Sequence, residues 1–151
     1  MSSEIETYRG FVYPWVIDHV GHMNVQSYVG RFDEASWHFL AHLGLTPSVL
    51  KANKRGLVAL DQRTQFKHEV LAGSLIDVRS ELLEINTKTI RYRHTMRNSE
   101  TGEDVATMEL LVAYIDTAAR KARPLPPEVL ANATPKVRTH PPGPSSDRDR
   151  A

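Results

Sequence analysis

One long helical segment stands between a first strand and a run of strand-like segments, and this order leaves few folds open to the chain. Asn24 is a favourable N-cap residue. After it Val25, Tyr28 or Val29, Phe32, Ser36, Phe39, Leu40 and Leu43 recur at helical spacing, giving one mostly apolar face. The helix is expected to reach about His42, with Gly44 at its C-terminal cap. Ahead of it residues 7–13 read as a strand that Pro14 interrupts. Beyond it residues 56–68, 75–85, 89–97 and 105–115 are rich in β-branched, aromatic and leucine side chains. Turn signals at 72–74, 86–88 and 98–103 separate them. The pattern predicts an α+β domain in which an antiparallel meander packs on one central helix.

The domain is expected to span residues 1–134, with a short terminal helix begun by the prolines at 126 and 127. Residues 135–151, rich in Pro, Ser, Asp and Arg, are expected to form a disordered tail. Lys plus Arg number 19 against 18 Asp plus Glu, so no global field draws nucleic acid or an anionic membrane to the chain. With no cysteine, disulfides, thiolate metal sites and a Cys nucleophile are excluded. The N-terminus is acidic and lacks a secretory apolar core, and no apolar run approaches the ~20 residues that span a bilayer. A cytoplasmic location is the expectation.

The segment from Asp18 to Asn24 carries the chemistry: a carboxylate, a glycine, a histidine and an amide, set just before the helix. A helix start leaves N–H groups free and carries partial positive charge, so it can hold a developing oxyanion. A carboxylate beside it can attack a carbonyl or deprotonate water. Gly21 allows a sharp turn and close approach of a ligand to the backbone. The plainer alternative is that Asp18 and Asn24 serve only as caps and Gly21 only as a turn residue.

The run Asp18-x-x-Gly21-His22-x-Asn24, followed by Tyr28 and by Phe32-Asp33-Glu34-Ala35, resembles the opening motif of the 4-hydroxybenzoyl-CoA thioesterase-like hotdog proteins. The resemblance extends over residues 5–130 and includes the Gly73-Ser74 turn and the segment Arg123-Pro124-Leu125-Pro126. It implies a hotdog fold, a sheet of about five strands wrapped around the helix, and an acyl-CoA thioesterase. Asp18 would be the catalytic carboxylate and the Val25 backbone N–H the group that polarises the thioester carbonyl. His22 and Asn24 would shape the loop or orient water, while Tyr28 and Glu34 would pack or support. Many relatives carry a second acid where this chain has Val16, which implies a more apolar pocket. The resemblance further implies a homodimer or dimer of dimers with shared sites. Residues 56–68 are the candidate contact, placing Thr64 and Phe66 in the pocket. CoA is part of the substrate, and no cofactor is implied.

Several smaller signals complete the reading. Trp15 adjoins the motif and is the candidate wall of an acyl pocket, while Trp37 suits core or interface. Lys88 is a candidate for the CoA phosphates, as are Lys51, Lys54 and Arg55, or Arg120, Lys121 and Arg123. His38 with His42, and His19 with His22, have ligand-like spacing, but further ligands are missing and no metal is expected. Ser27 and Ser36 lie outside any Gly-x-Ser-x-Gly elbow. A non-catalytic acyl-CoA sensor on the same fold is the alternative reading, and it could dispense with Asp18. A dehydratase would need a motif such as His-Phe-Pro, which this sequence does not contain.

Overall fold

The structure, a computed structural model, describes residues 3–133; the expected tail at 135–151 lies outside them. In chain order the elements are β1 (Ile5–Phe11), a one-turn 3-10 helix (Pro14–Val16), α1 (Val25–His42), α2 (Pro47–Ala52), β2 (Arg55–Phe66), β3 (Leu75–Ile85), β4 (Thr89–Asn98), β5 (Asp104–Asp116), β6 (Lys121–Ala122) and α3 (Pro127–Ala133). The strands form one antiparallel sheet in the order β1-β3-β4-β5-β2, with the short β6 paired to β5.

Helix α1 has both of the ends expected. The Asn24 side chain accepts a hydrogen bond from the Gln26 N–H. At the other end Gly44 has φ of 99°; its N–H donates to Ala41 O and the Leu45 N–H to Leu40 O. This Schellman arrangement needs a left-handed residue, and glycine adopts that conformation without a Cβ penalty. Tyr28, Phe32, Ala35, Ser36, Phe39 and Leu40 are buried against the sheet. Val25 departs from the expected apolar face: at 57% exposure it lines an open cleft at the helix start.

Strand β4 alternates cleanly. Ile90, Tyr92, His94 and Met96 are buried toward α1, opposite Val112, Leu110, Met108 and Ala106 of β5. The other face carries charge, with Arg93 paired to Glu81 and Arg97 to Asp77 across the β3–β4 register. Such pairs let the outer face remain polar while the inner face builds the core.

Two features differ from the expected arrangement of elements. The meander holds only for β3, β4 and β5; β2 does not pair with β3 but lies beyond β5. The connection at residues 67–74 is long enough to cross the sheet, and it passes under the motif loop, where Val70 is buried and its carbonyl accepts the Met23 N–H. Helix α2 was not anticipated, although Thr46 caps it and Pro47 opens it. Among the described residues no helix is long and apolar enough to cross a membrane.

Candidate active site at the start of helix α1

The loop before α1 folds on itself for local reasons. Pro14 opens a single 3-10 turn, since its fixed φ suits a first helical position. Ile17 then bridges to Met23, and Asn24 N–H bonds to Val16 O, so residues 18–22 form a closed turn. Gly21 ends that turn with φ of 95°, its N–H donating to Asp18 O at 3.0 Å.

This turn aims the Asp18 carboxylate and holds both of its oxygens. Oδ2 accepts from the Asn24 side-chain amide at 2.9 Å, and Oδ1 accepts from the Val20 N–H at 3.0 Å. These two bonds, the Asn24 one foremost, hold the carboxyl below the usual carboxylate range. Asp18 is therefore ionised at neutral pH and suited to act as a base or nucleophile, not as an acid. Asn24 has a double role, since one side chain both caps α1 and tethers the carboxylate.

Two clefts flank the first turn of α1. One, of about 440 Å³, is lined by Trp15, Val16, Ile17 and Asp18 on the loop and by Asn24, Gln26 and Ser27 on the helix. The other, of about 260 Å³, brings His22, Val25 and Tyr28 together with Phe66 at the end of β2. Phe66 meets Tyr28 edge-on, with ring centroids 5.1 Å apart. Among the described residues no acceptor meets the Val25 N–H.

The structure thus brings Trp15, Asp18, Gly21, His22, Asn24 and Val25 to one end of the fold, with Phe66 beside them. Thr64 lies two residues away on β2, opposite Met108, and lines neither cleft. Lys88 is not with them. Phe39 packs on Tyr92 while Tyr28 packs on Phe66, so α1 runs against β4 and Lys88 lies toward the far end of the helix. Lys51, Lys54 and Arg55 rim a different cleft, beside Trp37 and Leu57. Gln26 and Tyr13 were not singled out from sequence. Tyr13 stacks on Trp15, and the spacing Phe11-x-Tyr13-x-Trp15 is the signal that could have shown it.

Removing the Asn24 amide should release Asp18. Asn24→Ala is expected to move the acid limb of the pH–rate profile to higher pH, because the carboxylate loses the bond that most favours its ionised form. Loss of the cap should also cost about 1 kcal/mol of stability. An unmoved acid limb, in a variant that shows the expected stability loss, would contradict the tether.

Residues 12–133 match the thioesterase-like superfamily. The chain belongs to that superfamily. As a thioesterase-like protein of hotdog fold it is a thioester hydrolase by class. It is 28% identical over 140 residues to the betainyl-CoA thioesterase of Pseudomonas aeruginosa, covering 93% of this chain and 88% of that one. It is 34% identical over 118 residues to the L-carnitine dehydrogenase/betainyl-CoA thioesterase of Agrobacterium fabrum, covering 77% of this chain but only 23% of that longer protein. Among solved structures, a Staphylococcus aureus protein in complex with CoA superposes with a TM-score of 0.81 at 19% identity, covering 93% of this chain and 91% of that one. A 1,4-dihydroxy-2-naphthoyl-CoA thioesterase from Synechocystis superposes with a TM-score of 0.76 at 16% identity, covering 87% and 96%. At these identities the solved structures support the fold alone.

Proposed function

We propose that this thioesterase-like protein hydrolyses a small acyl-CoA to the free acid and CoA, with Asp18 as the catalytic carboxylate. The observation that carries the reading is the tethered, ionised Asp18 beside the open N-terminus of α1. A thioester lying across that first turn would present its carbonyl oxygen to the Val25 N–H and its carbon to Asp18 or to a water that Asp18 deprotonates. His22 borders the turn and can order that water. A non-catalytic sensor would have no use for a carboxylate held ionised by two hydrogen bonds.

The relatives' names point to the acyl group. A betainyl group carries a permanent trimethylammonium charge, and the Asp18 cleft is lined by one charged side chain, which is negative. We therefore assign the substrate as a short acyl-CoA with a cationic acyl group. A panel of acyl-CoAs assayed for thiol release tests this: betainyl-CoA should lead, and release from none of them would contradict the proposed function.

The active form is proposed to be a homodimer or a dimer of dimers. β2 is a twelve-residue edge strand with Val58, Leu60 and Phe66 exposed at 39%, 58% and 50%. A long apolar edge of this kind favours pairing. Antiparallel pairing about a two-fold axis would set the start of a second copy's β2 beside Phe66, at the first copy's helix start. Light scattering combined with turnover at high dilution checks this; a fully active monomer would refute the shared site.

A further inference from the structure

Three aromatic side chains, Phe11, Tyr13 and Trp15, follow one another at alternate positions on the way into the active-site loop. Phe11 meets Tyr13 edge-on at 4.7 Å, and Tyr13 stacks on Trp15 at 4.4 Å with an interplanar angle of 6°. The stack fixes the Trp15 ring without covering it, for Trp15 is 76% exposed, the most open large hydrophobic side chain among the described residues. With Phe11 and Tyr13 also exposed, the three rings form one contiguous aromatic patch, the kind of surface that marks a binding site. It also lines the cleft that holds Asp18.

The chemistry of that cleft selects the ligand. Its lining contains no lysine or arginine, and its single charge is the Asp18 carboxylate. The Arg31 guanidinium, which bonds Ser27 at the cleft wall, is held by the Tyr8 hydroxyl and the Phe11 carbonyl. A quaternary ammonium has no N–H to donate, so hydrogen-bonding side chains cannot capture it. An indole face can, because the negative face of the ring attracts a soft, poorly hydrated cation, and tryptophan does so best among the aromatics. An uncharged acyl group of equal size would gain only the apolar contact.

We infer that the Tyr13–Trp15 stack is the platform that recognises the cationic head of the acyl group and sets acyl specificity. This rests on the substrate proposed above, and it adds the residues responsible. Trp15 is a specificity-determining residue that touches the acyl group away from the reacting carbon; Tyr13 positions it.

The test compares betainyl-CoA with tert-butylacetyl-CoA, its uncharged carbon isostere, in wild-type protein, Trp15→Leu and Trp15→Phe. Wild type should prefer the cationic thioester in kcat/KM by about tenfold or more. Trp15→Leu should raise KM for the cationic thioester about tenfold, leave the isostere within about threefold, and erase the preference. Trp15→Phe should restore part of it. The same ratio is read as binding affinity with non-hydrolysable thioether analogues of both acyl-CoAs, so that recognition is measured apart from hydrolysis with the Asp18 charge in place. A binding preference that Trp15→Leu abolishes supports the platform even if no thioester is cleaved. Equal wild-type use of both thioesters leaves the hydrolase reading standing and overturns the platform. So does an equal loss on both in Trp15→Leu, or a change in its mass by light scattering, which would make the ring a packing group.

Discussion

His94→Leu is expected to cost about 2–4 kcal/mol of stability at pH 7, although the new side chain is apolar and the site is fully buried. The reason is a chain of hydrogen bonds through the core between α1 and the sheet. The Thr7 hydroxyl donates to Val78 O at 3.3 Å, so its contact with Ser80 at 2.7 Å must be donated by Ser80. Ser80 then has only a lone pair for His94 Nδ1, 2.5 Å away, and Nδ1 must carry the ring proton. Burial holds the ring neutral, pushing its pKa down to about 3, so Nε2 accepts from Ser36 at 2.8 Å. Tyr92, whose own pKa burial raises to about 12, packs edge-on against the imidazole from the next inward position on β4, with ring centroids 5.2 Å apart. Removing the imidazole takes the acceptor from the buried Ser36 hydroxyl and one of two partners from the buried Ser80 hydroxyl. The same group predicts acid sensitivity. A histidine with a depressed native pKa contributes stability that is complete above its unfolded pKa of about 6.5 and is lost as pH falls toward 3. The slope approaches about 1.4 kcal/mol per pH unit between those limits. Denaturant midpoints from pH 7 to 4.5 should fall more steeply for wild type than for His94→Gln; equal slopes would show that the ring does not titrate on unfolding.

Much of this architecture is legible in the sequence, where the signal is local. Asn24 and Gly44 mark the ends of α1, and Leu75–Ile85 was bounded by its turn residues. The Asp18–Asn24 cluster was legible for the same reason, since its hydrogen bonds span at most six residues. What escaped depends on distant placement. The position of β2 beyond β5 follows from how residues 67–74 cross the sheet, which no periodicity encodes. Lys88 falls at the far end of α1 because of the strand order. Val25 fits the helical repeat but stays exposed in a cleft beside Phe66, a residue far away in the chain. Helix α2 is only six residues, too short for a repeat to show, and only its Thr46-Pro47 start spoke for it. His94 sits at an inward position of the β4 alternation, which signals burial but not its serine partners on α1 and β3.

Asp18→Asn is expected to lower kcat by about a hundredfold or more while the fold persists. Asparagine has nearly the same shape and can keep an acceptor oxygen toward the Val20 N–H, so the turn should survive although its NH2 cannot accept from Asn24. What it loses is the charge that the Asn24 amide and the Val20 N–H hold in place. Without that charge neither attack on the thioester carbon nor proton abstraction from water is available, and only the helix N-terminus remains to favour the reaction. Effects on substrate affinity should be smaller, confined to the lost attraction between the Asp18 charge and the cationic acyl group, because the acyl platform at Trp15 and the helix start are unchanged. The decisive measurement is thiol release from betainyl-CoA by wild type and Asp18→Asn side by side, with thermal melts of both proteins. The account predicts matching melts and turnover reduced at least about a hundredfold; near-normal turnover by a well-folded Asp18→Asn protein would contradict it.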